Sequence, residues 1–147
     1  MTQVRDVMAK EPKTAGPDMD ATNAAGLMAS YDIGVVPIVE EDGSLLGLVT
    51  DRDLVLRVLA DRRDPTSVPL GEIATRKSLF TISPDATVAE AQKMMASNRV
   101  KRLIVTDDDV FVSVVSLGDI AQSGESMQEV GETVREITES PATTEGP

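Results

Sequence analysis

The stretch GLVTDRD at residues 47–53 indicates the organisation of this chain, because a related stretch, SVVSLGD, returns at residues 113–119. Outward from both stretches the similarity continues at a nearly constant offset. The further matching pairs are residues 17–18 with 84–85, 28–30 with 95–97, and 36–38 with 103–105. Few identities are shared, but apolar and turn positions agree, which indicates an internal duplication.

Each copy has the pattern strand, helix, strand, strand, helix. In copy two, residues 80–82 form a short strand, and Thr87 with Glu90 fits a capping box that starts a helix with an apolar stripe. In copy one, Asp20 takes the capping position. The β-branched run at residues 35–39 is typical of a buried strand, and Asp-Gly at 42–43 predicts the hairpin turn that follows it.

The second helix of copy one is predicted over about residues 51–60, with Leu54, Val55, Val58 and Leu59 on its apolar face. The pattern divides the chain into five segments. These are repeat 1 at residues 1–64, a linker at 65–69, repeat 2 at 70–123, a C-terminal helix at 124–138 and a disordered tail at 139–147. The spacing of Met127, Val130, Val134 and Ile137 predicts that this helix lies on the module or on a partner.

Composition excludes several classes of protein. The chain has neither cysteine nor histidine, which excludes disulfides, thiolate nucleophiles, the usual zinc sites and Ser-His triads. A net charge of -11 and few aromatic residues argue against nucleic-acid binding. With no signal peptide and no membrane span in the sequence, we expect a cytoplasmic protein. No phosphate-binding glycine loop or catalytic pair stands out, so no enzymatic activity is predicted.

Several pieces of the sequence resemble the cystathionine-β-synthase (CBS) domain pair, or Bateman module, as found in small free-standing bacterial CBS-domain proteins. They are VRDVM at 4–8, GLVTDRD at 47–53, SPDAT at 83–87 and VKRLIV at 100–105. The resemblance covers about residues 4 to 122. It implies an α/β (α+β) fold of two tandem CBS repeats packed as a pseudo-two-fold pair. It also implies a homodimer that regulates an unidentified partner, and adenosine-containing ligands held in clefts between the repeats.

Thr50 and Asp53 permit two interpretations. In the capping interpretation, Thr50 is the N-cap residue of a helix and Asp53 is its third residue. The residues alone favour this interpretation. As a binding pair, Asp53 accepts both hydroxyls of a ribose, since a carboxylate offers two oxygens to a vicinal diol. The resemblance implies ribose contact at Asp53, with capping as a compatible second role, and Thr50 would orient the sugar or reach a phosphate. The same family motif falls on Ser116 and Asp119 in repeat 2.

For the adenine ring, the resemblance places backbone contacts at Val36 and Pro37 and apolar walls at Ile33 and Val35. Core packing is the alternative, and we expect it for at least one of the two walls. Copy two has Ser113 and Ile104 where copy one has Gly47 and Pro37, which makes Asp119 a weaker candidate.

Phosphate groups require cations. Arg102, Lys101 and Arg52 are the candidates near the predicted clefts, with Arg102 preferred; ordinary solvated side chains are the alternative. The acidic runs at 40–42 and 107–109 are interpreted as charged hairpin turns, and no metal site is predicted.

Two functions remain open. The first is a regulatory module that responds to AMP, ADP or ATP and requires no cofactor. The second is a ligand-independent interaction or scaffold protein that has kept the fold.

Overall fold

The computed structural model describes residues 1–77, 79–124 and 127–139, and within them the chain divides into two units. The repeat-1 unit consists of residues 13–79 with 109–111. The repeat-2 unit consists of residues 1–12, residues 80–108 and the chain from Val112 onward. Each unit has its own aliphatic core and contains both helices and strands.

The helices and strands follow the duplicated pattern. In chain order they are α1 Val4–Val7, α2 Ala21–Tyr31, β1 Val35–Val39, β2 Leu45–Thr50, α3 Asp51–Leu54, a π-helical segment Val55–Leu59, a 3-10 turn Pro65–Ser67, α4 Leu70–Ile73, β3 Thr81–Ile82, α5 Val88–Asn98, β4 Arg102–Asp107, β5 Val110–Ser116, α6 Leu117–Gln122 and α7 Met127–Glu139.

In the repeat-1 unit, β1 and β2 form the predicted antiparallel hairpin, with Val35 opposite Thr50. Its turn places Gly43 at φ +91°, a backbone conformation that glycine adopts without strain. The first strand of this repeat is reduced to one parallel bridge, in which Ala15 pairs with Ile38. Asp20 caps α2 by accepting a hydrogen bond from the Asn23 amide, as the sequence predicts.

In the repeat-2 unit, the strand order is β3-β4-β5, and β3 runs parallel to β4. Thr87 caps α5 by accepting from the Glu90 amide. The predicted stripe is confirmed: Val88, Ala91 and Met95 are buried.

Each unit contains the short helix that precedes the other repeat in the sequence: α1 belongs to the repeat-2 unit and α4 to the repeat-1 unit. Val4 of α1 donates to the Ala86 carbonyl at 2.8 Å, and Leu70 of α4 donates to the Met19 carbonyl at 2.8 Å. Residues 1–12 therefore belong to the repeat-2 unit, whereas residues 65–79 belong to the repeat-1 unit. This differs from the division at residues 64 and 70 drawn from the sequence, because the helix that completes each core lies in the other repeat's segment.

The helix predicted over residues 51–60 is regular only through Leu54. Beyond it the Ala60 amide donates to the Val55 carbonyl, which gives a wider π-helical turn. The wider turn shifts side chains off the apolar stripe. Val58 is buried, but Val55 and Leu59 are exposed, so the prediction of an apolar face through all of these positions is wrong.

Helix α7 packs on α5 and α6 of the repeat-2 unit. Val130 joins the core and Ile137 packs against it, whereas Val134 is partly exposed. The helix predicted to lie on the module or a partner therefore lies on its own chain. Glu139, where the predicted disordered tail begins, is the last residue of α7. The rest of that predicted tail, residues 140–147, lies outside the described residues.

Candidate functional site

The candidate site of repeat 1 lies where β2 passes into α3. Thr50 Oγ1 accepts a hydrogen bond from the Asp53 amide at 3.1 Å, and Asp53 Oδ2 accepts from the Thr50 amide at 2.8 Å. These reciprocal bonds form a capping box, so the capping interpretation is correct. A capping role leaves the second carboxylate oxygen, Oδ1, available for other donors.

Asp53 is held from two further directions. The Thr75 hydroxyl lies 3.3 Å from Oδ2 and 3.5 Å from Oδ1, and Arg57 Nε lies 3.8 Å from Oδ1. The guanidinium of Arg57 also donates to the Ile73 carbonyl at 2.8 Å. The Asp53 side chain is 14% exposed. Its less engaged oxygen, Oδ1, thus has only long contacts and keeps capacity to accept stronger hydrogen bonds.

The sequence-predicted residues around this junction separate into two groups. The β1-β2 register places Val35 directly opposite Thr50, and Val35 is only partly buried. Val36 is fully buried in the core. The Pro37 carbonyl accepts from the Ala15 amide at 3.0 Å, so it is occupied within the sheet. Val35 therefore lies beside the candidate site, whereas the Val36 side chain does not.

Ile33 and Arg52 border the same junction. Ile33 packs against the repeat-1 core while remaining partly exposed, which agrees with core packing for one of the two predicted walls. Between Ile33 and β1, the Gly34 carbonyl accepts from the Asp51 amide at 3.0 Å. Arg52 has an exposed side chain, and its amide donates to Asp51 Oδ1.

The junction of β5 and α6 repeats this arrangement in the repeat-2 unit. Asp119 Oδ2 accepts from the Ser116 amide at 2.9 Å, and Ser116 Oγ accepts from the Asp119 amide at 3.1 Å. The Leu117 amide donates to the Lys101 carbonyl, as the Asp51 amide does to Gly34. The two junctions are therefore built by the same backbone pattern.

A pocket of about 320 Å³ lies beside the second junction. Three of the predicted site residues line it together: Lys101, Arg102 and Ser116. Its apolar wall includes Val130 and Val134 of α7, a contribution that the sequence did not predict. The two cations have exposed side chains. The pocket combines positive charge with an apolar wall, which suits an anionic ligand with an apolar part.

Two residues of repeat 2 that differ from their counterparts in repeat 1 have structural roles. Ser113, which stands where repeat 1 has Gly47, is buried and donates from Oγ to the Ala9 carbonyl at 2.5 Å. Ile104, which stands where repeat 1 has Pro37, is a buried core residue.

Two neighbours of Asp53, Thr75 and Arg57, were not predicted from the sequence. Thr75 follows α4, which the sequence placed in the other repeat, and no local motif connects it to Asp53. The available signal was the match between residues 4–9 and 70–75, whose equivalence becomes clear only from the parallel hydrogen bonding of α1 and α4.

The acidic runs form turns, as predicted. Asp42 Oδ1 accepts from the amide and hydroxyl of Ser44, which closes the β1-β2 turn. Asp108 and Asp109 both have positive φ angles in the β4-β5 turn. Within the described ranges, no group of three or more acidic side chains is placed to hold a metal ion. Of the helices in the described part of the chain, none is long and apolar enough to cross a membrane.

Comparison with known proteins identifies the family. The family model of the CBS domain matches residues 4–60 and again residues 70–125. The chain therefore belongs to the CBS domain family and contains a tandem pair, which confirms the resemblance seen in the sequence. The CBS domain-containing protein YhcV of Bacillus subtilis is 33% identical over 138 residues, which are 94% of this chain and 96% of YhcV.

Hypoxic response protein 1 of Mycobacterium tuberculosis is 35% identical over 122 residues, covering 83% of this chain and 85% of that protein. The crystal structure of Hypoxic Response Protein I with two coordinated zinc ions has a TM-score of 0.72 to this chain and covers 84% of it and 99% of that structure. The CBS domain pair of protein MJ0100, solved in complex with 5'-methylthioadenosine and S-adenosyl-L-methionine, is 29% identical with a TM-score of 0.70. That match covers 84% of this chain and 95% of the other.

Proposed function

We propose that this chain is a non-catalytic regulatory module that binds an adenosine-containing ligand, with Asp53 accepting hydrogen bonds from the ribose hydroxyls. The observation that carries this proposal is the Asp53 carboxylate, which is 14% exposed and whose Oδ1 has only contacts of 3.5 Å and 3.8 Å. A vicinal diol needs two acceptor oxygens close together, and one carboxylate supplies both. The ligands named for the MJ0100 pair, both of them adenosine derivatives, support the same class of ligand.

The neighbours of Asp53 fit the remainder of such a ligand. Val35 and Ile33 offer partly exposed apolar surface for a purine ring beside the junction. Arg52 is an exposed cation one residue from Asp53 and is the candidate phosphate contact of repeat 1. In repeat 2, Lys101 and Arg102 line the pocket beside Ser116 and take that role. AMP, ADP and ATP are therefore candidate ligands alongside uncharged adenosine derivatives.

A second candidate function is a scaffold protein that binds no small molecule. One observation favours it: both Asp53 and Asp119 already complete capping boxes, so their presence at helix starts has a sufficient structural explanation. The two candidates make opposite predictions for ligand-dependent stability, because a ligand that binds only the folded state raises the melting temperature.

The test is a thermal-shift screen of the purified chain against AMP, ADP, ATP, NAD, 5'-methylthioadenosine and S-adenosylmethionine. A saturable rise in melting temperature supports the nucleotide proposal. Asp53→Asn should abolish it, because asparagine keeps one acceptor oxygen for the cap but presents an N–H₂ donor to the diol. Asp119→Asn is the matched variant of repeat 2. Asp20→Ala removes a cap outside the site and controls for general destabilisation of about 1 kcal/mol.

A flat response to every compound, in protein that is folded and free of copurified nucleotide, contradicts the nucleotide proposal and favours the scaffold. A shift that Asp53→Asn and Asp119→Asn both leave unchanged places the ligand elsewhere and contradicts the assignment of the ribose to these carboxylates.

We further propose that the chain acts as a homodimer through an apolar face of the repeat-1 unit. Tyr31, Val55, Leu56 and Leu59 are large exposed apolar side chains there. Leu59 also lines an apolar groove of about 270 Å³ formed by α2, α3, the π-helical segment and Pro65. On the repeat-2 unit, the corresponding helices α5 and α6 carry α7. A second copy is the proposed occupant, since an apolar face lets two chains of net charge -11 meet with few charges in contact and buries apolar surface that offsets their repulsion.

Light scattering tests the dimer. Wild-type protein should have twice the mass of one chain, and Leu59→Glu should yield monomers because it buries an unpaired charge in the interface. Val110→Glu places the same charge on an exposed residue outside this face and should leave the dimer intact. A monomeric wild type would contradict the proposal.

A further inference from the structure

We propose that Thr75 is a positioning residue that makes Asp53, rather than Asp119, the ribose-binding carboxylate. This inference rests on the proposed adenosine-binding function and assigns it to one of the two equivalent junctions. It follows from a difference between Thr75 and the residue at the equivalent place in the other unit, Ala9.

Hydrogen bonding establishes that equivalence. In the repeat-1 unit, α4 is followed by Thr75, whose amide and carbonyl both bond to Leu48 of β2, at 2.8 Å and 3.0 Å. In the repeat-2 unit, α1 is followed by Ala9, whose amide donates to the Val114 carbonyl at 3.0 Å. Leu48 and Val114 lie at matching positions before Thr50 and Ser116. Thr75 and Ala9 therefore occupy the same place, each beside the strand that leads into a candidate site.

The side chain at this place carries a hydroxyl group in Thr75 and none in Ala9. Thr75 Oγ1 lies 3.3 Å and 3.5 Å from the two carboxylate oxygens of Asp53, so it contacts both. Alanine has no donor to offer Asp119. Among the described residues, the Ser116 amide is the only hydrogen-bond donor to the Asp119 carboxylate.

A second donor fixes the plane of the carboxylate. Rotation of an aspartate carboxylate about its last bond has a broad energy minimum, so one hydrogen bond leaves its plane loosely defined. The Thr50 amide, 2.8 Å from Oδ2, and the Thr75 hydroxyl, 3.3 Å from it, approach Asp53 from different elements and together restrict its orientation. Binding two ribose hydroxyls requires both oxygens in a defined plane. Asp53 is thus preorganised for a diol, whereas a ligand at Asp119 must also order the carboxylate.

The close approach of Thr75 depends on Gly47. A Cβ atom at Gly47 would lie 2.6 Å from the Thr75 carbonyl oxygen, which is too short for any contact. In repeat 2 the equivalent Ser113 instead uses its hydroxyl to bind the Ala9 carbonyl. The two junctions are therefore specialised in different ways at both of these positions.

Calorimetric titration with AMP and with 5'-methylthioadenosine, each compared with its 2'-deoxy counterpart, tests the inference. Wild-type protein should bind one equivalent per chain and prefer the ribose form by roughly tenfold or more, since one hydrogen bond to a charged group is lost with the hydroxyl. Thr75→Val removes the hydroxyl at similar volume and should reduce that preference by roughly threefold or more. Thr75→Ser keeps the hydroxyl and should restore it. Ala9→Thr should bring a second binding equivalent.

The ratio of ribose to deoxyribose affinity separates positioning from stability, because simple destabilisation weakens both compounds equally. An unchanged ratio in Thr75→Val overturns the inference. Wild-type binding that is lost in Asp119→Asn and kept in Asp53→Asn overturns it as well. Binding of none of the four compounds by folded wild-type protein is a different result, since it contradicts the proposed function itself.

Discussion

The amide of Val4 donates to the carbonyl of Ala86 at 2.8 Å, so the fourth residue of the chain joins the turn that leads into α5. Val4 is fully buried in a core that also contains Val88, Leu103 and Ile120. Leu70 stands in the same relation to Met19 in the other unit. Each core is thus completed by a helix that precedes the other repeat in sequence, which ties residues 1–12 to repeat 2.

This relationship predicts where a mutation in α1 acts. Val4→Ala should lower the free energy of unfolding by about 2 kcal/mol, from lost burial and the cavity that remains. Hydrogen exchange should become faster chiefly in the repeat-2 unit, at residues 80–123. Val110→Ala, at an exposed position, is the control and should change stability by less than about 0.5 kcal/mol. Faster exchange confined to residues 13–77 would contradict the assignment of α1.

Gly47 should resist any side chain. Gly47→Ser, which copies the residue that repeat 2 uses, would force Cβ to within 2.6 Å of the Thr75 backbone. We expect a loss of about 1–3 kcal/mol in the free energy of unfolding, measured by urea denaturation. Gly26→Ala is the matched control, because Gly26 lies within α2 and nothing lies within 4 Å of an added Cβ. It should raise stability by about 0.4–1 kcal/mol. Equal effects of the two changes would contradict the account.

Gln92 on α5 should be replaceable by an apolar residue. It is more than nine-tenths buried, and its Nε2 has no hydrogen-bond partner among the described residues. Gln92→Met removes this unsatisfied donor at similar volume. The free energy of unfolding should therefore stay the same or rise by about 1 kcal/mol. Gln122→Met, at an exposed position, should have no effect. A loss of stability at Gln92 would show that its amide is hydrogen-bonded in solution.

The turn aspartates should titrate at low pH. The Ser44 hydroxyl and then its amide hold the pKa of Asp42 below its ordinary value of about 3.9. The Thr66 hydroxyl and amide lower the pKa of Asp64 in the same way. Because the folded-state pKa is the lower one, the stabilisation is present above the unfolded-state value and is lost as pH falls through the folded-state value.

Carbon-13 NMR titration of the carboxyl groups measures this effect. Ser44→Ala should raise the pKa of Asp42 toward its ordinary value and leave that of Asp64 unchanged. Thr66→Val should raise the pKa of Asp64 and leave that of Asp42 unchanged. If neither variant moves its own aspartate, the hydrogen bonds do not determine these pKa values.

Most of the fold could be predicted from the sequence because its signals are local. The Asp20 and Thr87 caps, the Asp-Gly turn and the β-branched run of β1 each depend on neighbouring residues, and the structure contains all of them. The duplication followed from comparing the chain with itself. Within the site, Thr50 and Asp53 could be identified because a capping box requires their spacing, and the family resemblance pointed to the same two residues.

The missed features depend on contacts between distant residues. The placement of α1 in the repeat-2 unit and of α4 in the repeat-1 unit requires knowing that Val4 bonds to Ala86 and Leu70 to Met19. The contact of Thr75 with Asp53 depends on the same placement of α4. The π-helical segment arises from a hydrogen bond between Ala60 and Val55 that an apolar spacing cannot distinguish from a regular helical turn. Each of these features becomes visible only when packing is known.

An NMR titration of nitrogen-15-labelled protein with AMP and 5'-methylthioadenosine tests directly whether the Asp53 carboxylate binds a ribose. The amides of Thr50 and Asp53 each donate to the other's side chain, so a ribose bound by the Asp53 carboxylate must alter both signals. Ribose binding at Asp53 should give saturable shifts at these two amides and at Gly34 and Val35 beside them. No shift with either compound, or shifts confined to residues remote from this junction, would contradict it.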